Sequence, residues 1–247
     1  MRTSIIGLSA TLFAACMATP ALAQEEPAKP ITVSGNATVV SDYRFRGISQ
    51  TDKRFALQGG ITVTHESGLY ASVWGSSIDD YVAAGGDQEL DLIAGYSTTV
   101  GAATIDVGVL YYYYPGSGGA NTDFFEPYAS VKGTFGPATA KVSAAYAPKA
   151  NALSIGNGKE DNLYTALDLS GGIGDSGFGL SAHLGHSFGP SYLTIGDEYT
   201  DWSLGATYTT GPVTFGLSYV DTDKSLYSPS GRNISKAGVV FSVGAAF

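Results

Sequence analysis

From about Ile31 to the C-terminal Phe247 the chain repeats one pattern about twelve times: runs of ~10 residues in which large apolar side chains alternate with small, polar or charged ones. Leu90, Leu92, Ala94 and Tyr96 alternate with Asp91, Ile93, Gly95 and Ser97, and Val213, Phe215, Leu217 and Tyr219 alternate with Thr214, Gly216 and Ser218. A period of two puts the members of each set on opposite faces of a strand, so the chain is predicted to be all-β. A soluble sandwich also alternates, because each of its sheets buries one face and wets the other. The polar set here never builds a large apolar surface, and a run of ~10 residues is the length of a tilted strand that crosses a bilayer.

Three features favour a closed membrane barrel over the sandwich. Connections alternate in length: short ones near Glu66-Ser67-Gly68, Gly101-Ala102, Gly136-Pro137 and Gly211-Pro212, and long polar ones such as PGSGGANTD, PKANALSIGNGKED and DTDKSLYSPSGRNISK. Aromatic residues gather near strand ends, at Tyr43/Phe45, Tyr111 to Tyr114, Phe124/Phe125, Tyr199/Trp202 and Tyr219, where girdles at the two interfaces would sit. The same rings could instead belong to an ordinary core. The chain also ends on an alternating strand with Phe241, Val243 and the aromatic Phe247, a pattern similar to the one that barrel-assembly machinery reads in Gram-negative outer-membrane proteins. The expected fold is an up-and-down antiparallel transmembrane barrel over residues 31–247, of about twelve strands, with both termini periplasmic.

The first residues read as a secretory signal peptide: Arg2, an apolar run from Ile5 to Ala18, and the small-x-small end Ala21-Leu22-Ala23 before Gln24. Cleavage is expected between Ala23 and Gln24, and residues 24–30 (QEEPAKP) form a short solvated tail. Cys16, the one cysteine, leaves with the leader; a lipoprotein reading of it is weakened by Phe13 three residues before. Without Arg2 the Lys+Arg count falls from 13 to 12 against 22 Asp+Glu, a net charge of −10, which argues against a nucleic-acid partner.

The stretches SDYRFRGISQT (Ser41 to Thr51), Gln58-Gly59-Gly60, His65 to Tyr70 and Val73 to Asp79 resemble the TorF porin family (Gcw_chp). That resemblance implies an outer-membrane barrel, called a porin by analogy, and carries over neither a substrate nor catalytic residues.

Strand parity then sorts the charges. In the segment VVSDYRFRGIS it sends Tyr43 and Phe45 to lipid and Asp42, Arg44 and Arg46 to the lumen, because an arginine at the lipid midplane would cost ~2–4 kcal/mol. The same parity makes Asp91, Asp106, Glu126, Lys132, Lys141, Asp168 and Asp201 lumen-facing, a mixed-sign wall; Trp74 lies in a run whose phase is not legible. Such a wall either selects solutes or is an ion-paired plug that fills a narrow barrel. No GxSxG motif is present, and the only routes to an enzyme are His183 with Ser181 or Ser203. His183 and His186 sit three apart, on opposite faces of a strand, so they do not make a metal site, and Asp79, Asp80 and Asp87 are read as solvated rather than calcium-binding. The expectation is a non-enzymatic passive channel for small polar or charged solutes, without cofactor, set in outer-membrane lipid and lipopolysaccharide; the alternative is a non-conducting barrel that acts through its loops.

Overall fold

The computed structural model describes residues 30–156 and 158–247, so the expected leader, the cleavage between Ala23 and Gln24, and residues 24–29 lie outside the described residues. In chain order the strands are β1 (Ile31–Val40), the two short strands β2 (Arg44–Phe45) and β3 (Ile48–Ser49), β4 (Ala56–His65), β5 (Leu69–Ser77), β6 (Gln88–Val100), β7 (Ala103–Tyr113), β8 (Phe124–Phe135), β9 (Ala138–Ile155), β10 (Gly158–Gly172), β11 (Phe178–Phe188), β12 (Tyr199–Thr210), β13 (Val213–Thr222) and β14 (Gly238–Ala246). All except β2 and β3 form one closed antiparallel barrel of twelve strands, each paired with its neighbours in sequence. Closure is made by β1, whose Val39 lies opposite both Leu57 of β4 and Val243 of β14. At the seam Gly35 and Phe247 exchange backbone hydrogen bonds of 2.8 and 3.0 Å, and the Phe247 ring lies where a Cβ on residue 35 would be, 2.7 Å from its Cε2.

The alternation read from the sequence sets the two faces of the wall. Outward residues such as Leu57, Ile61, Val73, Leu92, Val131, Val142, Leu180, Leu204, Leu217 and Phe241 are exposed, strand after strand around the barrel. Soluble proteins rarely expose apolar patches beyond a few hundred Å². A closed sheet with no free edge and an apolar belt satisfies every ladder hydrogen bond within the wall, which is what lipid demands. Tight turns at Gly101-Ala102, Gly136-Pro137 and Gly211-Pro212 join the strands at one end, and longer loops lie at the other.

Two expectations are corrected. The stretch read as the loop PKANALSIGNGKED is a β-hairpin: β9 runs to Ile155 and β10 starts at Gly158, with register shifts between Gly158, Glu160 and Asn162. The extension folds back so that Leu153, 0% exposed, packs with Ala147, Leu110, Tyr112 and Phe124, with Leu193 of the 3-10 turn Tyr192–Thr194 alongside. The aromatic girdle is also smaller than expected. Tyr111, Phe125 and Tyr219 do point out, with Tyr111 and Phe125 4.5 Å apart, but Tyr43, Phe124 and Tyr199 are buried inside, as is Tyr112, where the alternation of the Tyr111 to Tyr114 run sends two of its four rings inward. Rings collect at strand ends in both phases, and proximity to an end does not reveal the face. Trp74, whose phase the sequence left open, points inward and is 1% exposed.

Candidate functional site: the barrel lumen

The lumen takes its character from residues 41–55, which leave the wall after β1 and return as β4. Ser41 still pairs with Phe241 across the seam, its N–H donating to the Phe241 carbonyl at 2.9 Å; beyond it the chain turns inward and Arg44–Phe45 pairs with Ile48–Ser49. The turn between them has left-handed backbone at both central positions, Arg46 (φ 47) and Gly47 (φ 80), the type I′ pattern that matches strand twist. Gly47 is required here twice over, since a Cβ would also lie 2.3 Å from Thr222 Cγ2 and 2.9 Å from Asp201 Cβ, so the hairpin tip abuts the β12–β13 wall.

This overturns the expectation that Tyr43 and Phe45 face lipid. Parity holds only while the chain remains in the wall, and these rings pack inside: Tyr43 edge-on to Trp74 (5.6 Å) and Phe45 edge-on to Tyr112 (6.0 Å). Asp42 accepts from Arg44 Nε (2.6 Å) and from Ser49 Oγ (2.5 Å). Arg44 Nη1 donates to the carbonyls of Gly47 (2.8 Å), Ile234 (3.2 Å) and Lys236 (3.3 Å), tying the hairpin to the β13–β14 loop. Arg46 reaches the far wall: Nη2 donates to Glu126 Oε1 of β8 (2.6 Å) and Nη1 to Asn162 Oδ1 of β10 (2.9 Å), with the guanidinium 4.1 Å from the centre of the Tyr164 ring. Glu126 takes a second bond from Tyr112 Oη (3.0 Å), the Arg46 carbonyl accepts from Tyr199 Oη (3.0 Å), and Tyr43 Oη donates to Glu89 (2.9 Å).

A second network lines the wall of β9 to β12. His183 stands with Nδ1 2.7 Å from Asp168 and Nε2 2.9 Å from Tyr164 Oη and 3.1 Å from Asp201; Lys141 Nζ is 3.4 Å from the other Asp168 oxygen. Both ring nitrogens are engaged by these partners, and neither is hydrogen-bonded to Ser181 or Ser203. His186 lies on the opposite face of β11, its Nδ1 3.0 Å from Thr200 Oγ1. Asp79 pairs with Arg54, and among the described residues no group of three or more His, Cys, Asp or Glu is arranged to hold a metal ion.

Of the other singled-out charges, Asp91 (1% exposed) and Asp106 are buried inside, Asp106 accepting from Tyr70 Oη at 2.7 Å, whereas Lys132, Lys141 and Asp168 are only partly buried. Burial of the inward face therefore changes along the barrel axis. Near the loops it is packed with the hairpin and with Trp74, Tyr112, Phe124 and Glu126; near the tight turns it carries partly exposed Ser97, Lys132, Lys141, Thr207 and Ser242. Between hairpin and wall a partly open cavity of about 80 Å³ remains, with Asp42, Arg44 and Arg46 on one side and Thr38, Gln58, Ser203 and Ser218 on the other. Sequence reasoning passed over Glu89, Asn162, Tyr112 and Tyr164 as binding partners, although the strand parity of Asn162, Tyr112 and Tyr164 already placed them inside.

The sequence pattern of a family described as a bacterial protein of unknown function (Gcw_chp) matches residues 24–247. No curated protein matches the chain. Among solved structures the chain is similar to the NanC porin (TM-score 0.59, 12% identity, covering 87% of this chain and 99% of that one). It is also similar to an outer membrane channel from Pseudomonas putida F1 (TM-score 0.52, 13% identity, covering 90% of this chain and 99% of that one). At these identities the likeness shows a shared fold.

Proposed function

The chain belongs to the Gcw_chp family, and we propose that it is a porin-like channel of the TorF kind, set in the outer membrane of a Gram-negative bacterium, that passes small polar or charged solutes by diffusion. The observation that carries this reading is the inward wall near the tight turns, whose small polar and charged side chains are partly exposed and lead towards the cavity beside the hairpin. An apolar belt with a wetted polar interior is what a water-filled pore needs, and residues 41–55 set its narrowest part. The pore-lining charges of this proposal are Asp42, Arg44, Arg46, Asp91, Asp106, Glu126, Lys132, Lys141, Asp168 and Asp201. The tight turns and both termini lie on the periplasmic side, the loops meet lipopolysaccharide, and the strand carrying Phe241, Val243 and Phe247 is the segment that the assembly machinery engages. The fold shared with a porin and with an outer membrane channel supports the reading without fixing the solute.

A second reading has its own observation: the hairpin and the rings around it fill the loop half of the lumen, as a plugged barrel acting through its loops would require. Single-channel recording of the refolded protein in a planar bilayer separates the two. Steady small conductance is expected for the channel; a folded, heat-modifiable barrel that passes no current establishes the plug.

A further inference from the structure

The arginines of the hairpin are poor candidates for attracting solute, because every polar contact described above ties them to the protein. Arg44 is held by Asp42 and three carbonyls, and Arg46 by Glu126, Asn162 and the face of Tyr164. The lysines nearer the tight turns differ. Lys132 of β8 and Lys141 of β9 are direct cross-strand partners, both on the inward face and both partly exposed. Like charges directly opposite in an antiparallel pair are destabilising, so folding alone does not favour this arrangement. Lys141 shares Asp168 with His183, which takes the other carboxylate oxygen. Lys132 makes no ion pair or side-chain hydrogen bond among the described residues; the nearby Asp106 is buried and accepts from Tyr70. The row Lys132, Lys141, Asp168, His183, each opposite the next across β8 to β11, thus ends on an ammonium with no direct partner, which Asp106 offsets only through space, with a second ammonium beside it.

We propose that Lys132 and Lys141 form a binding site for a small oxyanion, a carboxylate or phosphate group, on the turn side of the lumen, and that they set the charge of the solutes the barrel admits. Two adjacent ammonium groups facing a water-filled space can each donate to one oxyanion, which relieves their mutual repulsion. The inference rests on the channel reading, and its test separates the two. Wild type, Lys132→Gln/Lys141→Gln and the charge-keeping Lys132→Arg/Lys141→Arg are compared for reversal potential in a potassium chloride gradient, after each has been shown to be heat-modifiable. The anion-to-cation permeability ratio is expected to fall about sixteenfold per charge removed, since a unit charge at ~5 Å in water favours an anion and disfavours a cation by about fourfold each, and to survive in the arginine variant. An unchanged ratio in the glutamine variant, or a cation-selective wild type, overturns the proposal. If the barrel passes no current the channel reading fails, and phosphorus NMR line broadening of inorganic phosphate by the detergent-solubilised barrel decides: broadening lost in the glutamine variant upholds the site, and no broadening by wild type overturns it.

Discussion

Replacing Arg46 with alanine should release the hairpin from the lumen while leaving the barrel standing. The guanidinium is the cation paired with Glu126, which is 4% exposed, and it also supplies the hydrogen bond to Asn162 and covers the Tyr164 ring. Removing one member of a buried ion pair costs about 3–5 kcal/mol, because the other charge is left desolvated and alone. None of this loss falls on the wall, whose ladder hydrogen bonds do not involve residues 42–55, so it acts on docking of the hairpin. At 1.4 kcal/mol per factor of ten, undocking becomes roughly a hundredfold to a few thousandfold more populated. Trypsin reads that population directly when opening is fast relative to cleavage, and Arg44, Lys53 and Arg54 remain as cleavage sites in the variant. The expected result is faster cleavage between residues 44 and 54 by a similar factor, together with a larger or noisier single-channel current. Arg46→Met with Glu126→Gln removes both charges and should restore most of the protection. Wild-type cleavage rate and current in Arg46→Ala would refute the latch, since a buried Glu126 cannot lose its cation without consequence.

Gly47→Ala should act in the same direction, because left-handed backbone costs a non-glycine residue ~1–2 kcal/mol and the methyl would sit 2.3 Å from Thr222 Cγ2; wild-type trypsin resistance in this variant would contradict the tip contact. Leu204→Arg places a charge on the outward face of β12 and should destabilise the barrel in lipid vesicles by ~2–4 kcal/mol, read as a lower urea midpoint. In the loops, burial raises the Asp52 carboxyl, but hydrogen bonds from Ser228 (2.7 Å) and Ser230 (2.9 Å) and the charges of Arg232 and Arg54 outweigh it and hold the group below its ordinary range. A carboxyl lowered on folding stabilises above its unfolded pKa of ~4 and loses that contribution as pH falls through the folded value. The β13–β14 loop should therefore become sensitive to pepsin as the pH drops below ~4, and Asp52→Asn should remove that pH dependence.

The wall was legible because its physics is local: side chains two apart share a face, and a face is either lipid or lumen, so Leu92, Val107 and Leu180 declared themselves outward without any knowledge of their neighbours. The hairpin was not, because Asp42 to Arg46 alternates as a strand would, while the face its rings occupy depends on Trp74, Tyr112 and Tyr164, which no local pattern links to it. A signal was present in Arg46-Gly47, a pair suited to positive φ, and in the ~15 residues left over between two ten-residue strands. The extended β9–β10 hairpin was missed for the opposite reason: Pro148, Asn151 and the glycines around Ile155 read as loop by composition, and only burial of Leu153 against Leu110 and Tyr112 gives those residues cause to pair.

The contacts that hold the hairpin join residues 80, 116 and 190 positions apart, from Arg46 to Glu126 and Asn162 and from Arg44 to Ile234. Pairings so distant in sequence close large loops, and the β1–β14 seam, where Val39 meets Val243, closes larger ones still. The segment follows directly on β1, yet it has nothing to dock against until β8, β10 and the chain leading into β14 are in place. Its seating thus waits on nearly the whole chain, so the segment that fills the lumen cannot nucleate the strands that enclose it.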